Sequence, residues 1–317
     1  MIPLADIERA RERIADIVIR TPLVRLHADD APAEIWLKLE NLQPIGSFKL
    51  RGAANAILSA PREALASGLV TTSAGNMAQG VAWMARKLGV PVTTVVPDTA
   101  SMSKLAAVER LGGRIVRVSR DEWWSAMEAG RLEGVDGYFV HPVRDDAVMA
   151  GNGTIGLELV EDLDHFDAVL IPWGGGGLTT GIASAVKALR PNTNVYVCEP
   201  ETGAPVTAAI GNRGVPMNVE HTPSFIDGAG AGALLPEMWE HARSLVTDAF
   251  SISLADAAAG VRLLVERARI VGEGAAGLPV AAALAGRAGG GRVVCIVSGG
   301  NIDSARLADI LRGRVPS

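Results

Sequence analysis

The chain has 317 residues, 48% of them hydrophobic and 21% charged, enough for one large domain or two smaller ones around a substantial core. A net charge of −5 and a pI near 5.6 leave no basic stripe to neutralise phosphates, which excludes a nucleic-acid partner. No apolar run reaches the ~18–20 residues needed to cross a bilayer.

In chain order, the N-terminal "MIPLADIERARERIADIV" carries acids and arginines in an amphipathic helical pattern rather than a signal peptide, so a cytoplasmic protein is expected. Short apolar runs then alternate with helical periodicity. Strands are predicted at 35–40, 68–72, 91–97, 113–118, 167–172, 194–199 and 292–298. Helical spacing falls between them, as in Val81, Ala85 and Leu88, or Ile182, Val186 and Leu189. This rhythm predicts an α/β fold of βαβ units, with mainly parallel sheet covered by helices on both faces. Loops and short helices are expected over 201–245, and no further domain after residue 312. Cys198 and Cys295 lie in apolar runs and are expected to be buried, reduced thiols.

Ligands of such sheets bind beyond the carboxyl ends of the strands, and four turns stand out there. "PWGGGGLTTG" leads from a strand into a helix, so Gly174, Gly175, Gly176 and Gly177 can bring backbone amides close to an anion at a helix start. A bare strand-to-helix turn does not require four glycines. A dinucleotide fingerprint does not fit, because its third glycine falls on Thr179 or Thr180. No G-x-x-x-x-G-K-[ST] occurs either, which leaves a smaller phosphorylated cofactor or metabolite.

The thirty basic residues include only five lysines: Lys38, Lys49, Lys87, Lys104 and Lys187. Lys38 alternates with Trp36 and Glu40 and reads as a solvent-facing strand residue, and the last three read as solvated surface charges. Lys49 follows Pro44, Gly46 and Phe48 in "LENLQPIGSFKLRGAAN". A desolvated lysine there loses its proton easily and can form an imine; a surface lysine at a helix start is the competing reading. "TSAGNMAQG" places Asn76 at or near a helix N-cap, which is either ordinary capping or a grip on a carboxylate and a ring oxygen. Ser298 of "VSGGN" ends a strand with a hydroxyl able to meet a heterocyclic nitrogen.

Taken in order, these motifs resemble the pyridoxal-phosphate enzymes of fold type II, specifically the threonine/serine dehydratase and serine racemase family. "TPL" (21–23), "LKLENLQPIGSFKLRGA" (37–53), "SAGNMAQG" (73–80), "VVP" (95–97) and "GNGTIGLEL" (151–159) carry the first half of the match. "PWGGGGL" (172–178), "EP" (199–200), "DG" (227–228), "GEGAAG" (272–277) and "SGGN" (298–301) carry the second. The resemblance implies pyridoxal 5'-phosphate bound through an imine to Lys49, with Phe48 beside its ring and Asn76 on its 3-oxygen. It places the phosphate on Gly174 to Gly177 and Ser298 on the pyridine nitrogen. Ser73, Ala74, Gly75, Met77 and Gln79 fall in the loop that grips the substrate. The implied reaction is β-elimination from a small β-hydroxy amino acid, with the Lys49 amine as base, giving a 2-oxo acid and ammonia.

The resemblance also implies two domains, 1–67 plus 145–317 for the cofactor and a small mobile domain at 68–144, and a homo-oligomer, a dimer. Three positions depart from the family: Met77 replaces a histidine, Ile45 a threonine, and Trp173 a smaller residue. All three are bulkier or more apolar, so a β-hydroxy amino acid with an aryl or alkyl β-substituent is expected. Racemases of this family carry a serine where this chain has Ala74, which disfavours racemisation. Glu199 matches a metal-ligating carboxylate but lacks its aspartate partner, so no metal is expected. With no C-terminal regulatory domain, feedback by an amino acid is not expected. The rival outside this class is a non-catalytic protein that binds a phosphorylated ligand, or an enzyme that uses a nucleotide.

Overall fold

In a computed structural model, which describes residues 1–28, 30–100 and 102–316, the chain forms two sheets wrapped by helices. The elements run α1 (Leu4–Ile14), β1 (Leu23–Arg25), β2 (Glu34–Leu39), α2 (Lys49–Ser59), β3 (Leu69–Thr71), α3 (Asn76–Leu88) and β4 (Val92–Pro97). Then come α4 (Met102–Arg110), β5 (Arg114–Val118), α5 (Arg120–Ala129), β6 (Tyr138–Phe139), α6 (Asp146–Asp162), β7 (Ala168–Pro172) and α7 (Gly177–Leu189). The rest are β8 (Asn194–Pro200), α8 (Pro205–Gly211), α9 (Pro236–Ala242), β9 (Asp248–Ile252), α10 (Leu254–Leu263), α11 (Gly274–Leu284), β10 (Arg292–Val297) and α12 (Ser304–Leu311).

The larger sheet has the order β1-β2-β10-β7-β8-β9 and the smaller one β5-β4-β3-β6. Among the described residues every pairing between these strands is parallel except β1 with β2. Alternation along each strand sends successive side chains to opposite faces. Thus Val293, Cys295 and Val297 of β10 join one core with α10 and α11, while Val294 and Ile296 join another with α6 and α7. In β7, Leu170 belongs to the first core, Val169 and Ile171 to the second. Burial on both faces is why these strands read as unbroken apolar runs. Both cysteines are buried free thiols.

All seven expected strands form, within a residue or two of their expected ends. The sequence reading missed β1, β6 and β9. Two of these have only two or three residues, and β9 is an edge strand with a polar start. The 201–245 stretch holds the short helices α8 and α9 between loops.

Lys38 is a correction. It is 0% exposed, and its Nζ lies 2.6 Å from Glu158 Oε2 and donates to the Thr21 carbonyl at 2.7 Å. The face of β2 that Lys38 takes is covered by α6, which brings Glu158 and Asp162 to the ammonium, and a buried ammonium persists only with such partners. Arg51, equally buried, donates to both oxygens of Glu40 and both of Glu158. These two cations fasten α2 to β2 and α6. Close helix contact explains the glycines of "GNGTIGLEL": a Cβ on Gly151 would lie 2.4 Å from the Arg51 carbonyl oxygen. Lys87 is exposed and Lys187 half-buried over the carbonyls of Pro191 and Thr193. The Lys104 side chain lies outside the described residues.

Candidate active site

All four marked turns lie at carboxyl ends of parallel strands. The lysine loop follows β2, the asparagine loop β3, the glycine loop β7 and the "SGGN" loop β10. The first and last are zipped together, with Phe48 N donating to the Ser298 carbonyl at 3.0 Å and Gly300 N to that of Gly46 at 2.9 Å. Together they line a cavity of about 970 Å³ that includes Phe48, Lys49, Ser73 to Met77, Gln79 and Gly174.

Lys49 opens α2, and its Nζ donates to the Pro142 carbonyl at 3.0 Å and lies 5.3 Å from the centroid of the Phe48 ring. Burial lowers its pKa to about 8, and the negative charge of Glu273 opposes that shift. The carbonyl that holds the amine belongs to a pinned strap. His141 Nδ1 accepts from Val143 N and Arg144 N at 3.0 and 2.8 Å. Burial, then the charge of Arg144, pushes the His141 pKa down to about 4, so the ring is neutral and its Nδ1 free to accept.

Gly174 to Gly177 run into α7, with Gly176 as its N-cap at φ +94°, a conformation that favours glycine. The first amides of a helix have no partners within it, and no acid stands in this first turn. Trp173 lies beneath the loop, where a Cβ on Gly176 would meet its ring at 2.7 Å. Ser298 is buried. In the asparagine loop, Ser73 Oγ accepts from Gly75 N at 3.2 Å, and a Cβ on Gly75 would meet nothing within 4 Å. Gly75 is the N-cap of α3 and Asn76 its first residue, next to the cap as expected.

Three side chains depart from the expected picture. Trp173 and Met77 are each 1% exposed: Trp173 packs with Val197, Val206 and Trp239, Met77 with Ile45 in the core around α2 and α3. The cavity reaches both residues, but the bulk of Ile45, Met77 and Trp173 lies in core rather than around a substrate. Glu199 uses its oxygens to accept from Val206 N, Thr207 N and Thr207 Oγ1 at 2.8–3.0 Å. Burial raises its pKa to about 7, and no group of three potential metal ligands occurs among the described residues.

Two residues escaped the sequence reading. Glu273, 5% exposed and the N-cap of α11, accepts from Asn76 Nδ2 at 3.0 and 3.2 Å. Asn301 Nδ2 donates to Asn76 Oδ1 and to the Ile45 carbonyl, both at 2.8 Å. Both lie in motifs already singled out, "GEGAAG" and "SGGN", but sequence alone could not show that they converge on Asn76.

An amine with a lowered pKa in one cavity with the start of a glycine loop suits a phosphorylated carbonyl compound, and known proteins agree. A family model described as pyridoxal-phosphate dependent enzyme matches residues 14–299. The L-threonine ammonia-lyase of Geobacter sulfurreducens is 37% identical over 323 residues, covering 99% of this chain and 80% of the relative. Among solved structures, a threonine deaminase from T.th. has a TM-score of 0.87 at 34% identity, covering 95% of this chain and 98% of that one. Maize serine racemase has a TM-score of 0.86 at 30% identity, covering 98% and 96%. By its sequence along most of its length, its fold and its motifs, the chain belongs to the pyridoxal-phosphate dependent enzymes of fold type II.

Proposed function

We propose that this enzyme is an ammonia-lyase of the threonine/serine dehydratase type, which removes water from a β-hydroxy-α-amino acid and releases a 2-oxo acid and ammonia. The observation that carries this reading is the Lys49 amine, its pKa lowered to about 8, in one cavity with the glycine and asparagine loops. The residues present fit the cofactor: the amides of Gly174 to Gly177 would take its phosphate, Lys49 its aldehyde carbon, Ser298 its ring nitrogen and Asn76 its 3-oxygen. When bound, pyridoxal phosphate supplies an electron-withdrawing group next to the substrate's α-carbon.

The chain does the rest. Lys49, near neutrality already partly unprotonated, takes the α-proton as general base. The Ser298 hydroxyl carries no charge, so it places no full negative charge opposite the ring nitrogen. Ser73, Gly75 and Gln79 hold the substrate carboxylate against the start of α3. Ala74 has no proton to deliver to the face opposite Lys49, and this favours elimination over racemisation although the fold is also that of serine racemase. Residues 68–144 act as a mobile unit that closes on the substrate. The reading extends to a cytoplasmic homodimer, which light scattering and cell fractionation test.

The direct test is 2-oxo acid formation from L-threonine and L-serine, together with borohydride reduction and peptide mapping. Cofactor should be retained on the peptide bearing Lys49, and Lys49→Ala should lower the rate by about 10²–10⁴-fold. A colourless protein that takes up no pyridoxal phosphate overturns the reading.

A further inference from the structure

Most of the loops that meet around Lys49 present polar groups, but α5 turns an apolar side toward the same cavity. Trp123, Trp124 and Met127 all line it. Trp124 is 44% exposed, and the two indole rings lie 6.2 Å apart, tilted by 56°. A large aromatic left open beside a ligand cavity marks a contact surface, since covering it removes apolar area from water. Phe225, Leu235 and Ile302 also line the cavity. Its volume, about 970 Å³, lies near the top of the ~300–1,000 Å³ typical of ligand sites. A hydroxymethyl or hydroxyethyl side chain is too small to cover the indoles.

We infer that Trp123, Trp124 and Met127 form the wall that receives the substrate's β-substituent. The preferred substrates are then β-hydroxy-α-amino acids with an aryl or branched alkyl group on the β-carbon. This inference rests on the elimination proposed above. It moves the source of apolar specificity from Ile45, Met77 and Trp173, whose side chains fill the core, to α5. The competing class is a β-substituent with its own carboxylate. Arg110 and Arg306 also line the cavity, but so do the acids Asp227, Glu273 and Asp303, and Arg306 stands 3.6 Å from Asp227, so the aromatic wall is the stronger feature.

The test measures kcat/KM of the holoenzyme for L-serine, L-threonine, L-phenylserine and β-hydroxyaspartate, and calorimetric binding of L-phenylalanine against L-alanine, which lack the leaving hydroxyl. Phenylserine should be the best substrate, and phenylalanine should bind at least about tenfold more tightly than alanine, the effect of burying a ring or part of one. In Trp124→Ala and Trp123→Ala/Trp124→Ala both preferences should shrink by about tenfold, with cofactor content held within about twofold. Turnover of threonine or serine in clear preference to phenylserine overturns the wall and leaves the lyase reading standing. A preference for β-hydroxyaspartate, or equal losses on all substrates in the tryptophan variants, also overturns it. No 2-oxo acid from any of the four overturns the lyase reading and the wall with it.

Discussion

Enclosure makes Lys49 a weaker base than a surface lysine, because a low-dielectric site penalises the ammonium, while Glu273 supports the charged form. The neutral amine, the form that attacks a carbonyl, therefore becomes dominant as pH rises through about 8. Stability follows the same sign. The native pocket releases its proton at about 8 and the unfolded chain near 10.5, so this group's contribution to stability grows between those pH values. Glu273→Gln keeps an acceptor for Asn76 but removes the charge that raises Lys49. The midpoint of cofactor capture against pH, followed by colour in the apoprotein, should then move below that of the native chain. An unmoved midpoint would assign Glu273 to holding Asn76 alone. Lys49 was legible from its turn and its ordered neighbours, whereas Glu273 was not, because its proximity to Asn76 comes from a fold contact spanning 197 residues.

At the scale of elements, the buried cations explain how α2 presents Lys49. Arg51, two residues on, binds Glu40 after β2 and Glu158 on α6, and Lys38 shares Glu158. Burial alone raises the Glu40 pKa, but the charge and hydrogen bonds of Arg51 outweigh it and hold the carboxyl below its ordinary value. Its stabilising share is present above the unfolded carboxylate range and is lost as pH falls through the lower native value. Arg51→Met would leave two buried carboxylates short of a partner and should cost about 3–5 kcal/mol, read as a lower urea midpoint with an unchanged slope. An effect under about 1 kcal/mol would mean that Lys38 and water make up the loss. Strands buried on both faces were readable as apolar runs, and their loops as glycine clusters. Lys38 was misread because alternation says which face a side chain takes, and only packing says whether that face is covered.

At the scale of the whole molecule, the candidate site is assembled from two sheets. Lys49, the glycine loop and Ser298 follow strands of the larger sheet, while Ser73 to Gly75 follow β3 and Trp123 and Trp124 lie on α5, both of the smaller sheet's layer. Helix α3 rests on α2 through one apolar cluster that includes Leu50, Ala53, Ile57, Val81 and Met84. The contact is smooth: a Cβ on Gly80 would lie 3.2 Å from the Ala53 Cβ and 3.4 Å from the Lys49 carbonyl oxygen. Packed helices with small side chains at the contact can shift past each other in small steps, the shear mode of domain closure. Motion of residues 68–144 should therefore occur along α2, and hydrogen exchange can detect it. Adding L-phenylalanine to the holoenzyme should slow exchange over 73–80 and 120–129 and leave the amides of β7 and β10 unchanged. Gly80→Val would wedge α3 off α2 beside Lys49, cancelling that protection and raising KM by about tenfold or more. Equal protection in both sheets, or none over 73–80, would show that the smaller layer stays fixed when an amino acid binds.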